Sequence, residues 1–380
     1  MTHRRSAVLV ALAVLLAGCG ADPRPGAPAA TTTAPAPPSS EPEPRPSGPA
    51  VPESVTLLAT GDVLVHQGRA LTGGALQDDG GYDFTGVLAP VADLIGAADL
   101  AICHLETPVA PDGGPYRGYP AFAVQPEIVD ALAEAGYDLC STASNHSLDA
   151  GTDGLVRTLD ALDAAGIAHT GTYRSAAEST EPLVLDVDGV PVGFVSATFS
   201  LNGVPLPAGR EWSVDVVAVP DVSPLLEAAA RARAAGAEIV VAALHCCQEY
   251  RHEPTAAQET AVRALLASPD VDLVLGHHAH VVQPFEEVDG EWVAYGLGNH
   301  VAEHATRGYP TEDSVAARFT FTRGADGRFT VTRAEAVPLA IELGADAVTV
   351  RPADPATYQR VAEVLDMRGA VADGLVLAPR

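Results

Sequence analysis

The chain has 380 residues, a formal net charge of −27 and a hydrophobic content of 47%. That is enough for one large core or two small ones. The acidic balance argues against nucleic acid or an anionic membrane surface as a partner. Every Lys/Arg position is arginine; with abundant Ala, Gly and Pro this reads as genomic compositional bias and carries no functional signal.

Residues 1–18 join an Arg-bearing start (Arg4, Arg5) to an apolar run over 7–16. The run is too short to span a bilayer and has the size of a signal-peptide core. It ends in Leu16-Ala17-Gly18-Cys19, which is similar to the lipobox of exported bacterial lipoproteins, where the cysteine becomes the lipidated first residue. The expectation is a signal peptide over 1–18, a lipid anchor on Cys19 and an extracytoplasmic place on the cell membrane. No Asp follows Cys19, so the retention rule based on that residue gives no reading. Residues 19–54 are Pro, Ala, Thr, Ser and Glu with almost no large apolar side chain, the composition of an extended, partly polyproline II tether. No other segment is long and apolar enough for a transmembrane helix.

The folded part is expected over 55–345, with 346–380 as a C-terminal extension packed on it. Apolar runs at 55–59, 100–103, 138–142, 167–170, 239–244 and 271–275 read as strands. Helical spacing covers 87–98, 128–135, 155–165, 225–235 and 256–267. Two hairpins are marked by Asp-Gly turns, 183–187 with 192–197 around Asp188-Gly189, and 281–288 with 292–297 around Asp289-Gly290. Strand–helix alternation giving way to hairpins predicts an α/β fold, a mainly parallel, helix-covered sheet with antiparallel strands attached. No internal repeat is visible.

Five of the apolar runs end in polar residues of one chemical type. Asp62 stands in TGDVLVH with His66 four residues on, and Glu106 stands in HLETP beside His104. Asn145 and His146 stand in STASNHSLDAG, His245 in LHCCQEY, and His278 and His280 in VLGHHAHVVQ. Singly, each has a plain alternative: a turn Asp, a solvated His, a hydrogen-bonded strand-end imidazole. Together they differ, because ligands of open α/β sheets bind beyond the carboxyl ends of the strands. Buried carboxylates and imidazoles gathered there need a partner, and a divalent metal supplies one. Neutral imidazole suits Zn, Fe or Mn. Besides Cys19 there are Cys103, Cys140, Cys246 and Cys247, spaced neither as C-x-x-C nor as a zinc finger. Neighbouring parallel strands seldom offer disulfide geometry, which disfavours a Cys103–Cys140 bond; the state of all four thiols stays open.

The ordered series GDVLVH, HLETP, ASNHSLDAG, HCCQEY, GHHAHVVQPFE and YGLGNH resembles the bacterial capsule-synthesis CapA family, the poly-γ-glutamate capsule proteins, over roughly residues 55–321. The resemblance implies a metallophosphoesterase-like (calcineurin-like) βαβ sandwich of mixed sheets with helices on the outer faces. It implies two divalent metal ions, with Asp62 on the first, Glu106 bridging, Asn145 and His245 on the second, His278 and His280 on one each, and His146 as the proton donor. His66, His104, Glu249, Tyr250, Gln283 and Asn299 would shape the pocket by ordinary hydrogen-bonding support. The family more often has Asn at the place of His104, Trp-Gly at Cys246-Cys247 and Phe at His300. Calcineurin-like enzymes open with Asp-x-His, whereas His66 lies too far along for that geometry.

Three functions stay open. The first is a lipid-anchored hydrolase of phosphoesters in capsule, poly-γ-glutamate or related envelope-polymer biosynthesis, beside polymer-synthesis membrane proteins. The second is a non-catalytic accessory that binds or exports an anionic polymer. The third is a metal-dependent hydrolase of γ-glutamyl or peptide bonds. Retention of every ligand type favours a hydrolase, and the negative charge counts against a broad anionic-polymer groove.

Overall fold

Side chains alternate between two cores along strand β1 (Ser54–Leu64). Val55, Leu57 and Ala59 enter one cluster, Leu58 and Val63 another. A strand buried on both faces belongs inside a layered structure. The computed structural model describes residues 53–68, 70–304, 308 and 310–378. The expected signal peptide, Cys19 and all but the last two residues of the tether lie outside them.

After β1 come α1 (Ala70–Ala75), α2 (Thr85–Leu88), α3 (Ala92–Ile95), β2 (Leu100–Leu105), α4 (Glu127–Ala135), β3 (Leu139–Ser141), α5 (Gly151–Ala165) and β4 (Ala168–Thr170). The single helix expected over 87–98 is interrupted by a 3-10 turn, Ala89–Val91; Pro90 has no N–H to continue the α-helical ladder. The next stretch runs β5 (Leu183–Val187), β6 (Val190–Thr198), α6 (Ser223–Ala234), β7 (Ile239–His245), α7 (Ala256–Leu266), β8 (Leu273–His277), β9 (Phe285–Val288) and β10 (Glu291–Ala294). Both Asp-Gly hairpins form with positive φ at each turn residue, the pattern a two-residue turn requires. The second is shorter than expected: Pro284 cannot donate to the ladder, and beyond it Val282 and Leu297 make only an isolated bridge. The chain closes with β11 (Asn299–Ala302), β12 (Asp313–Arg323), β13 (Phe329–Leu343), β14 (Val348–Pro352), α8 (Pro355–Leu365) and β15 (Val376–Leu377).

Where one mainly parallel sheet was expected from the element pattern, the described residues form two. A nine-stranded sheet runs β14-β13-β12-β1-β2-β3-β4, with β11 on β1 and β15 on β13; a six-stranded sheet runs β5-β6-β7-β8-β10-β9. Each mixes parallel pairs, such as β1–β2 and β7–β8, with antiparallel ones, such as β12–β13 and β5–β6. Leu57, Ile102 and Phe319 of the first sheet share one core with Phe194, Val241 and Leu275 of the second. The outer face of the large sheet is covered by α2 to α5, that of the small sheet by α6 and α7. This is the helix-flanked sandwich implied by the resemblance. In the segment after residue 345, β14 pairs along β13 at the edge of the large sheet and α8 adds Val361 and Leu365 to the shared core.

Among the described residues two disulfides are present. Cys103 and Cys140 are joined across β2 and β3, against expectation, because they are direct register partners with Cα atoms 4.5 Å apart. Cys246 and Cys247 are joined to each other directly after β7.

Candidate metal centre

Parallel strands that share a direction deliver their C-terminal residues to one edge, and here both sheets do so at the same place. Asp62 lies within β1, not after it, because the strand resumes past a register shift between Ala59 and Asp62 and pairs with both β2 and β11. Such a shift re-aims side chains. Gly61 and Gly276 allow the closest approaches: a Cβ would stand 2.0 Å from Gly298 O at the first and 1.9 Å from Tyr295 O at the second. No other residue leaves room for these strands to meet. His278, His280, Cys247 and Tyr250 all adopt positive φ, a conformation that costs a non-glycine residue about 1 kcal/mol or more and gathers at functional sites.

The side chains so delivered are buried and mutually close. Asp62 Oδ1 is 3.0 Å from His277 Nδ1, and Asp62 Oδ2 accepts from the His278 backbone N–H at 3.2 Å. His280 reaches both carboxylates, with Nδ1 3.5 Å from Asp62 and Nε2 4.0 Å from Glu106. His245 Nε2 is 2.9 Å from Asn145 Oδ1, and the Asn145 amide donates to Asn202. Two trios bring one ligand atom each within 4.8 Å of one another: Asp62, His104 and His245, and Asp62, Glu106 and His280.

Unsatisfied atoms test whether a metal fits. Neither Glu106 oxygen has a hydrogen-bond partner, and His104 Nε2, His245 Nδ1 and His278 Nδ1 are also buried without one. A buried group left so costs free energy unless a cation joins it. Burial first, and then the charges of Asp62, Glu249 and Asp149, push the Glu106 carboxyl well above its usual range; a bound cation would reverse that. Burial acts upward on Asp62 too, but the His277 hydrogen bond and the adjacent rings outweigh it and hold this carboxyl low. Burial and neighbouring imidazoles hold His104 and His245 well below the ordinary histidine range, and His278 at about 4. Rings that stay neutral are the ones that ligate. The donor set therefore fits divalent metal.

Beside the cluster opens a cavity of about 870 Å³ lined by His66, Asn145, His146, Glu249, Tyr250 and His280 among others. His146 Nδ1 is 2.6 Å from Asp149 Oδ2, which also accepts from the Phe122 backbone N–H at 2.8 Å. Of the residues expected to shape the pocket, His66, Glu249 and Tyr250 line it. His104 does not: it is buried in the cluster, its ring 4.2 Å from that of His277 and 4.8 Å from that of His245. Gln283 and Asn299 lie behind the cavity, Gln283 accepting from Gln258 at 2.8 Å and Asn299 meeting His280 Nδ1 at 3.0 Å. His278 is in neither trio; its ring packs against Phe199 and His245. Sequence reasoning passed over His277 and Asp149. The triple histidine contained the first and SNHSLD the second, but no spacing rule says which of three neighbouring imidazoles turns inward.

The sequence model of a bacterial capsule synthesis protein, PGA_cap, matches residues 56–304. The chain is similar to the PGA biosynthesis protein CapA of Bacillus subtilis (strain 168), 28% identical over 209 residues, 54% of this chain and 53% of that one. It is similar to the capsule biosynthesis protein CapA of Bacillus anthracis, 29% identical over 197 residues, 51% of this chain and 46% of that one. The matches thus span about half the length of these relatives. Among solved structures, the calcineurin-like phosphoesterase YfkN of Bacillus subtilis aligns with 82% of this chain and 97% of its own, at a TM-score of 0.44 and 16% identity.

Proposed function

The chain belongs to the bacterial capsule synthesis family PGA_cap, and from that premise we propose a lipid-anchored envelope hydrolase whose strand-end cluster is a dinuclear metal centre cleaving a phosphoester in capsule or related polymer assembly. The observation that carries the reading is Glu106, a carboxylate 1% exposed whose two oxygens have no hydrogen-bond partner, with His280 Nε2 4.0 Å away. Asp62, Glu106, His245 and His280 would hold the ions, with Asn145 at the side of His245. When bound, a pair of divalent ions makes hydroxide from water at neutral pH and neutralises phosphoryl oxygens.

The remaining chemistry falls to the chain's own groups. Asp149 holds His146 Nδ1, which leaves Nε2 to carry a proton to the leaving oxygen on the cavity side. The Asp149 carboxylate is itself fixed by the Phe122 N–H, so the imidazole is oriented before substrate arrives. Among the described residues lining the cavity none is arginine and Glu249 is acidic, which speaks for a small reacting group and against a long anionic polymer held there without metal.

The full chain in detergent, assayed for bound metal by mass spectrometry and against phosphoester and γ-glutamyl peptide panels, tests the reading. Two equivalents of metal with phosphoester turnover support it. Metal with γ-glutamyl cleavage alone reassigns the substrate, and the absence of both metal and turnover leaves the accessory role. Cys19→Ser should move the protein from the membrane fraction to the soluble one; unchanged fractionation would sink the lipid anchor.

A further inference from the structure

Among the buried imidazoles that the proposed ligands leave without a task, His104 is the one that enters a converging trio. His104 lies in β2, fully buried. Its Nδ1 is 2.8 Å from Ser141 Oγ, and that hydroxyl donates to Cys103 O at 3.5 Å. A hydroxyl has one proton, so with that proton on the carbonyl it accepts from Nδ1–H. In that tautomer the ring's lone pair lies on Nε2, the atom that has no hydrogen-bond partner. A core histidine retained only for packing would be expected to satisfy both nitrogens.

Position supplies the second part. His104 pairs with Asp62 in the β1–β2 register, and its ring is 4.2 Å from that of His277 and 4.8 Å from that of His245. With Asp62 and His245 it forms one of the two trios whose ligand atoms converge, Asp62 being common to both.

Building on the dinuclear reading, we infer that His104 ligates metal through Nε2, so that the centre has two chemically unequal positions. One is nitrogen-rich, with His104, His245 and the shared Asp62. The other is oxygen-rich, with Asp62, Glu106 and a single imidazole, His280. Affinity at a given nitrogen, oxygen or sulfur site rises from Mn through Co to Ni, and carboxylate is the donor that best suits Mn and Mg, so the nitrogen-rich position favours cobalt more strongly than the oxygen-rich one. The two positions therefore fill with different preferences, and the hydrogen bond from His104 to Ser141 fixes the ring as outer partners fix metal-bound histidines.

The test titrates cobalt(II) alone and manganese(II) alone into the metal-free full chain, comparing wild type with His104→Ala, His104→Asn and Ser141→Ala. Stoichiometry, the visible cobalt spectrum and the metal-induced rise in Tm are read together. Wild type should take two cobalt ions at unequal affinities. His104→Ala should weaken the tighter by at least about tenfold and alter its spectrum, while the manganese-preferring position persists. His104→Asn should retain part of the affinity, and Ser141→Ala should cost less than His104→Ala. If His104 serves packing alone, His104→Ala lowers Tm equally with and without cobalt and both ions stay bound with unchanged spectra; that result overturns the inference and spares the dinuclear reading. A wild type that binds no metal overturns both. Should His104→Ala fail to fold, a Ser141→Ala protein with unaltered cobalt affinity and spectrum decides against His104.

Discussion

Strand β8 has a buried carboxylate before its first residue and imidazoles at its last, and the two ends treat buried charge in opposite ways. Asp272, 2% exposed, receives the Arg233 guanidinium and the Val240 N–H, the latter at 2.6 Å. Glu106, 1% exposed at the other end of the sandwich, receives nothing. Burial pushes both carboxyls up, and at Asp272 the Arg233 charge and the Val240 hydrogen bond pull back. A fold that satisfies one buried acid with a matched cation can satisfy buried acids; one left without a hydrogen bond, with His280 Nε2 4.0 Å away, is what the proposed metal centre would account for.

The widest separation of the two ends comes from neutralising Glu106. Glu106→Gln should lower metal affinity by at least about a hundredfold, while the metal-free protein keeps or gains stability because a neutral amide replaces an unpaired buried acid. Metal content and Tm of the metal-free protein check both halves; full metal content would break the comparison. His146→Ala should keep the metal and lower turnover by roughly a hundred- to ten-thousandfold, with Asp149→Asn falling between it and wild type. Loss of metal in either variant would show that this pair belongs to the cluster and not to the cavity.

At the paired end the effects move to stability. Asp272→Asn strands Arg233 and should cost about 3 kcal/mol in denaturant unfolding, metal binding being untouched. A cost below about 1 kcal/mol would mean that Arg233, itself partly exposed, finds water instead. The smallest effect is a slope. Glu291 opens β10 beside Asp272, and burial followed by the Asp272 charge pushes it up to about 7. Because its folded pKa is raised, the folded chain keeps a proton that the unfolded chain loses near 4.5. Its contribution to stability is complete below about 4.5 and is lost as pH rises through about 7. Tm measured from pH 5 to 8 should fall less steeply in Glu291→Gln than in wild type; identical slopes would show that burial beside Asp272 does not raise the Glu291 carboxyl.

Much of the candidate centre was legible because each proposed ligand stands within a few residues of the end of an apolar run. Asp62, Glu106, His245 and His280 each stand where an apolar run ends, and a short continuous apolar run bounded by turn signals is read locally as a buried strand. His277 and His278 could not be told apart in that way. Which of two adjacent imidazoles meets Asp62 depends on the positive φ of His278 and on Gly276 lying against Tyr295 O. The expectation that His104 shapes the pocket fails because spacing says nothing of what stands across a strand; its partners come from β3, β7 and β8, and they lie 37, 141 and 173 residues further along the chain.

The sequence by itself determined the strand ends, their chemistry, the turns at Asp188-Gly189 and Asp289-Gly290, and the family series of motifs. These depend on local conformational preference and on residue type, which a linear string carries. Tertiary structure alone decided that the strands divide into two sheets, that Cys103 faces Cys140, and that β12 to β14 extend the large sheet past β1. It also decided that Asp62 is shared by two ligand trios drawn from both sheets. Those outcomes rest on register and on the packing of one sheet against the other, pair terms between residues distant in sequence, which no local pattern encodes.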